Sequence, residues 1–183
     1  MMIDYVTLML INMTAGLFLL GCFVLRGVEM DREDVTCWAP AFGICGLVAT
    51  VCGFVMTFTW PLPKPYSMAY GEMSVLLGML LLGTALATAK RWGLMPLAGY
   101  AFFAGVAAIL LGVRIIDLRL TNEPILSGIG FVLCGAAGIF APVVVWQNEQ
   151  KGLRVVGAMV LFAAATIWAW TACLAYWAHM VPK

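Results

Sequence analysis

Residues 5–25 read YVTLMLINMTAGLFLLGCFVL, a stretch without a single charged side chain. About 20 apolar residues are enough for a helix to cross the hydrocarbon core of a bilayer. Five further stretches of similar length and character follow, at residues 40–60, 72–89, 95–113, 125–146 and 155–177. Strands buried in a soluble core would be shorter and bounded by turn residues. The six stretches therefore predict six transmembrane helices.

The composition of the chain agrees with this prediction. Hydrophobic residues make up 64% of the sequence, charged residues make up 10%, and the mean hydropathy is +1.02. We expect an all-α, polytopic membrane bundle in which residues 1–183 form a single six-helix transmembrane domain, because helices satisfy their own backbone hydrogen bonds in lipid. The net charge of +1 gives no basis for a nucleic-acid partner. The lipid bilayer is the expected surrounding.

The basic residues predict how the chain is oriented in the membrane. The turns after the first, third and fifth helices carry six of them: Arg26, Arg32, Lys90, Arg91, Lys151 and Arg154. The opposite face carries four: Lys64, Arg114, Arg119 and Lys183. Because the face with more basic residues stays in the cytoplasm, we expect a multi-pass protein of the cytoplasmic (inner) membrane with both termini outside.

Glycine spacing points to an internal repeat. Gly71 and Gly78 in the third helix match Gly128 and Gly135 in the fifth at one constant offset. The chain could thus consist of three tandem two-helix hairpins, and membrane folds often place a site on the symmetry axis of such repeats. The alternative is a chance match, because glycine is common in membrane helices.

Charged and polar residues gather at the membrane level of the two termini. Glu72 begins the predicted third helix, Arg114 and Asp117 end the fourth, and Glu123 precedes the fifth, while Asn12 lies two to three turns deeper in the first. Charges near lipid are costly and often functional, so this set predicts an outward-facing polar pocket. Each residue also has a local explanation: a helix dipole for the two glutamates, a surface pair for Arg114 and Asp117, and a bond to a neighbouring helix for Asn12.

A proline-rich turn, WPLPKPY at residues 60–66, lies beside this polar set. Alternating prolines favour a stiff, extended path. We interpret the turn as a lid that holds Trp60 and Tyr66 over the mouth of the pocket. The alternative is a short connector whose two aromatic residues belong to the interfacial belt.

Residues that could bind a metal or cofactor are few. The chain has one histidine, which excludes a haem held by two histidines, and its six cysteines form no CxxC pair. His179, Met73 and Met180 are weak candidates for a metal site, because thioether and imidazole groups suit copper(I). Methionine also fills gaps in apolar bundles. We predict no bound cofactor.

Four stretches carry a resemblance to a known family. They are DYVTLMLINM at residues 4–13, MTFTWP at 56–61, GEMSV at 71–75 and GVRIID at 112–117. The chain resembles the small prokaryotic integral-membrane proteins grouped as domain of unknown function 981, and the similarity covers essentially its whole length. The resemblance implies a prokaryotic origin and a membrane setting, and it implies no particular activity.

Two functional hypotheses follow. The first is a non-enzymatic protein that binds or passes a small solute or ion through the outward-facing pocket. The second is an accessory membrane subunit of a respiratory or metal-handling complex, in contact with haem or copper. Catalysis by the chain itself ranks third. A homo-oligomer or a larger membrane complex is compatible with either of the first two.

Overall fold

The structure, a computed structural model, describes residues 5–26, 34–62 and 65–180. Six long helices contain most of these residues: α1 (Val6–Leu25), α2 (Ala39–Thr59), α3 (Tyr66–Lys90), α4 (Met95–Leu118), α5 (Pro124–Trp146) and α6 (Lys151–His179). A turn of 3₁₀ helix, Asp34–Trp38, precedes α2. All six helices are long and apolar enough to cross a membrane. The predicted six-helix, all-α membrane fold is confirmed.

Three helices extend beyond their predicted bounds. Helix α3 begins at Tyr66, six residues before Glu72, α4 continues past residue 113 to Leu118, and α6 begins at Lys151. These predicted stretches were too short because their bounds were set at charged residues: the third began at Glu72, the fourth ended before Arg114 and the sixth began after Arg154. Long charged side chains at a helix end can reach the interface while the helix continues.

The six helices form a closed ring in chain order. Each helix packs against its neighbours in sequence, and α1 closes the ring by packing along α6. The most extensive contacts join α2 with α3, α4 with α5, and α1 with α6. These pairs join different helices from those of the predicted hairpins.

The ring has two ends. We call the end where α1 begins and α6 finishes the termini end, and the opposite end, where α2, α4 and α6 begin, the basic end.

Glycines bring α4 and α5 into backbone contact. A Cβ atom added to Gly105 would lie 2.5 Å from the carbonyl oxygen of Gly135, and one added to Gly112 would lie 2.7 Å from that of Gly128. Small residues permit this approach in a membrane, where helices associate through packing rather than through a hydrophobic force.

The same arrangement joins α2 to α3. A Cβ atom on Gly46 would lie 3.0 Å from the carbonyl oxygen of Gly78, and one on Gly53 would lie 3.0 Å from that of Gly71. The glycines of each helix are seven residues apart in both pairs, so the two helix pairs share one packing geometry.

Candidate functional site

An aromatic cluster fills the centre of the ring. The rings of Phe131 and Trp168 meet edge to face with centroids 4.9 Å apart, and Tyr70 lies 6.1 Å from Phe131. Trp168 is fully buried, and Leu10 and Leu17 of α1 belong to the same core. Side chains from α1, α3, α5 and α6 therefore close the central axis at this level.

A small pocket lies between the aromatic cluster and the termini end. It leaves about 10 Å³ for the centre of a water-sized sphere, roughly the room that one water needs. Helices α1, α3 and α5 supply its lining residues, which are Val6, Met9, Leu10, Met13, Tyr70, Met73, Ser74 and Phe131. None of these residues is charged.

Hydroxyl groups connect this central pocket with the turn between α4 and α5. The Thr121 hydroxyl donates to Ser127 Oγ at 3.2 Å, and the Ser127 side chain lies near the hydroxyl of Tyr70. A hydroxyl both donates and accepts hydrogen bonds. The row of hydroxyls from Thr121 to Tyr70 therefore offers both donors and acceptors to a polar solute. The hydroxyl of Ser74 adds a further polar group to the lining.

A second aromatic cluster occupies the basic end of α1 and α2. Phe23 lies edge to face against both Trp38 and Phe42, with centroids 5.6 and 5.4 Å apart, and Trp38 stacks on Phe42 at 6.1 Å. Phe42 is fully buried. This end of the ring is thus packed with apolar side chains beside α1 and α2.

Glu72 lies on the outside of the ring, away from the central pocket. Its side chain is exposed, as are those of Met68 and Met79 on the same face of α3. Glu72, which was predicted to belong to a polar pocket, therefore does not line the central pocket. Because α3 begins at Tyr66, position 72 lies almost two turns into the helix. Glu72 is therefore an interior helix residue on the exposed face of α3 and not a residue of the helix start.

Arg114 and Asp117 form an ion pair on the surface of α4. Arg114 Nη1 lies 2.9 Å from Asp117 Oδ2, and the two side chains are 63% and 61% exposed. The expected pairing is present, but it lies outside the bundle. Glu123, which precedes α5, is also exposed, so the central pocket receives no charge from these three residues.

We expect Arg114→Ala to change stability little. Exposed ion pairs contribute about 0.2–1 kcal/mol, so the melting temperature in detergent should fall no further than it does in Arg119→Ala. Both positions are exposed and lie near the end of α4. A much larger loss in Arg114→Ala alone would show that the pair is buried by another molecule.

Asn12 joins two helices and does not line the central pocket. Its side chain is buried, and its Nδ2 group donates to the carbonyl oxygen of Cys45 at 2.8 Å. This hydrogen bond joins α1 to α2. It agrees with the alternative given for Asn12 from the sequence, a bond to a neighbouring helix.

Trp60 and Tyr66 flank the turn between α2 and α3 without lining the central pocket. Trp60 follows α2 in a left-handed conformation with φ of 47°, and its side chain is exposed. The Ser67 hydroxyl accepts from the backbone nitrogen of Leu62 at 3.0 Å and donates to its carbonyl oxygen at 2.9 Å. Pro63 and Lys64 lie outside the described residues, so the turn as a whole stays a predicted lid.

Of the two weak metal candidates whose side chains the structure describes, one reaches the central pocket. Met73 lines it together with Met9 and Met13, whereas Met180 is exposed. The side chain of His179 lies outside the part of the chain that the structure describes. Within that part, no three histidine, cysteine, aspartate or glutamate side chains gather as a metal site would require.

The sequence prediction missed the residues that line the centre. Tyr70, Ser74, Phe131 and Trp168 lie inside apolar helices, where aromatic and hydroxyl side chains also occur facing lipid. The available signal was the seven-residue spacing of Ala158, Ala165 and Ala172 in α6, all three of which are buried.

Six membrane-length helices in a closed ring around an uncharged pocket define a multi-pass membrane protein. The chain belongs to the family described as a protein of unknown function, DUF981, whose model matches residues 1–181. No curated protein matches the sequence.

One solved structure has the same fold, the urea channel of Helicobacter pylori in its closed state. The two proteins share 16% sequence identity and superpose with a TM-score of 0.72, over 96% of this chain and 100% of that one. At this level of identity, the likeness shows the fold alone.

Proposed function

We propose that the chain passes a small, neutral, polar solute along the axis of the ring. The observation that carries this proposal is the uncharged central pocket, whose otherwise apolar lining includes Tyr70 and Ser74. The ring fold is that of a urea channel, and urea is a small neutral amide, so we take urea as the first solute to test.

The chemistry of the central pocket favours a neutral solute over an ion. An ion would lose its hydration in the narrow pocket and find no opposite charge among the lining residues, which is costly inside a membrane. A neutral amide can accept from and donate to the hydroxyls of Tyr70 and Ser74 while its flat face lies against Phe131. Passage requires the side chains of Phe131 and Trp168 to move, because together they close the axis.

The orientation of the path is part of the same proposal. The excess of basic residues at the basic end supports a cytoplasmic location for that end, with both chain termini and the central pocket toward the outer side of a cytoplasmic membrane. A prokaryotic source is implied by the family resemblance.

A second candidate function, metal handling, has one observation in its favour. The thioethers of Met9, Met13 and Met73 line one small pocket, and thioethers suit copper(I). Stoichiometric copper(I) or silver(I) retained by the purified protein, without any solute flux, would favour this function and the accessory-subunit hypothesis.

Urea efflux from proteoliposomes tests the proposed function. Vesicles that contain the protein should release urea faster than protein-free vesicles in a stopped-flow light-scattering measurement. Equal rates in both preparations would refute the proposal.

We expect Ser74→Leu to block the path. Leucine fills the space beside Tyr70 and removes a hydroxyl, so urea efflux should fall to the rate of protein-free vesicles. Thr166→Leu also replaces a hydroxyl side chain by leucine, on the outward face of α6, where the side chain is exposed, and should leave efflux unchanged. Unaltered efflux in Ser74→Leu would mean that the solute does not pass through the central pocket.

A further inference from the structure

The row of hydroxyl groups beside the central pocket reaches the surface of the protein at the termini end. Tyr70 lines the pocket, its hydroxyl lies near the Ser127 side chain, and Ser127 Oγ accepts from the Thr121 hydroxyl at 3.2 Å. Ser127 is 4% exposed, whereas Thr121, in the turn between α4 and α5, is only half-buried. The row therefore extends from an enclosed pocket to a side chain at the surface.

One turn of α5 supplies both the polar and the apolar neighbour of Tyr70. Ser127 and Phe131 are four residues apart, so they lie on one face of the helix, about 6 Å apart along its axis. The ring of Tyr70 lies 6.1 Å from that of Phe131, while its hydroxyl lies near Ser127. Because α5 begins at the termini end with Pro124, Ser127 lies between Phe131 and that end. The hydroxyls thus stand on the same side of the aromatic cluster as the pocket does.

The wall of the pocket that α1 supplies has a different character. Its side chains are apolar or thioether groups: Val6, Met9, Leu10 and Met13. A polar solute that leaves water loses hydrogen bonds, and leaving its donors and acceptors unpaired is costly. Hydroxyls both donate and accept, so the α5 side can replace the bonds to water and the α1 side cannot.

The bond between Thr121 and Ser127 is suited to exchange with a passing solute. Its length of 3.2 Å exceeds the ordinary range of about 2.5–3.0 Å for hydroxyl pairs. A long hydrogen bond is a weak one, so little is lost when a solute takes the place of either partner.

We propose that the solute enters the central pocket from the turn between α4 and α5, along Thr121, Ser127 and Tyr70. Ser127 is the residue that receives the solute between the surface and the pocket. This inference rests on the proposed function and adds to it the entrance and the side chains that bind the solute there.

The first test removes single hydroxyls and measures urea efflux from proteoliposomes. Ser127→Ala should lower urea permeability about fivefold, the factor that corresponds to one ordinary hydrogen bond. Thr84→Val is the matched control, because Thr84 is also buried, at 5% exposure, but its hydroxyl donates to the carbonyl oxygen of Leu80 within α3 at 2.8 Å. Removal of that hydroxyl should leave urea permeability unchanged.

Thr121 offers a second pair of variants at a half-buried position, where replacement disturbs packing little. Thr121→Val removes the hydroxyl at nearly constant volume and should lower urea permeability by a similar factor. Thr121→Ser retains the hydroxyl and should pass urea at the rate of the wild-type protein.

The second test blocks the entrance with a bulky, water-soluble maleimide. Thr121→Cys should lose urea efflux once it is labelled. Glu123→Cys, at an exposed position two residues further along, should retain its efflux when it is labelled to the same extent, as judged by protein mass. The wild-type protein, treated in the same way, accounts for labelling of its own six cysteines.

The outcomes separate this inference from the proposed function. If the wild-type protein passes no urea, the proposed function fails, and the inference fails with it. If the wild-type protein passes urea and Ser127→Ala passes it equally fast, or if labelled Thr121→Cys stays open, only the entrance is refuted. Should Ser127→Ala not fold, the variants of Thr121 decide the matter, and equal permeability of Thr121→Val and Thr121→Ser would refute the entrance.

Discussion

Replacing Trp168 by alanine should lower the free energy of unfolding by about 3–5 kcal/mol, the usual cost of truncating a buried tryptophan. The indole is fully buried and packs edge to face against Phe131, so its removal leaves a cavity at the centre of the ring. Lipid cannot fill this cavity without separating the helices. The midpoint of thermal unfolding in detergent measures the effect.

Trp170→Ala is the matched control for this prediction. Trp170 lies two residues further along α6, and its side chain is 60% exposed on the outward face. Its replacement should shift the midpoint by a small fraction of the shift in Trp168→Ala. Similar shifts in both variants would show that Trp168 does not pack in the centre of the ring.

Gly105→Ala should also destabilise the protein, because one methyl group is enough to separate two helices. The new Cβ atom would lie 2.5 Å from the carbonyl oxygen of Gly135 and 2.8 Å from the backbone nitrogen of Ile139. Backbone atoms cannot move aside as the end of a side chain can, so α4 and α5 must shift apart. Overpacking of this kind costs about 1–3 kcal/mol, which thermal unfolding in detergent again measures.

Gly99→Ala, in the same helix, should have the opposite effect and stabilise the protein. A Cβ atom at Gly99 would meet nothing within 4 Å, and alanine is favoured over glycine inside a helix by about 1 kcal/mol. A gain in stability at Gly99 beside a loss at Gly105 would identify the contact with α5 as the cause. Equal effects at the two positions would contradict the close packing of α4 on α5.

The helices were predictable from the sequence because an apolar stretch of membrane length has few alternatives. Their ends were less predictable. Glu72 and Arg114 were treated as helix boundaries, yet α3 begins at Tyr66 and α4 ends at Leu118. A charged side chain ends an apolar stretch without ending the helix, since it can extend toward the headgroups from a helical backbone.

The centre of the ring was not predictable from the polar residues. Lipid is as apolar as the inside of a bundle, so hydropathy does not separate the two faces of a membrane helix. Trp168 faces the axis and Trp170 faces outward, although both are tryptophans in one apolar stretch. Residue size carries more information, because Ala158, Ala165 and Ala172 mark the buried face of α6. Residue size, rather than charge, therefore identifies the face of α6 that carries Trp168.

The contact between α1 and α6 has a consequence for how the protein is made. Helix α1, which is synthesised before the other helices of the ring, makes its most extensive contact with α6, which is synthesised after them. At about 5–20 residues per second, translation of the chain between them takes on the order of ten seconds. During that interval the face of α1 that later packs against α6 contacts lipid or another membrane protein. The ring, and with it any barrier to leakage along the axis, is therefore completed only after α6 has been synthesised.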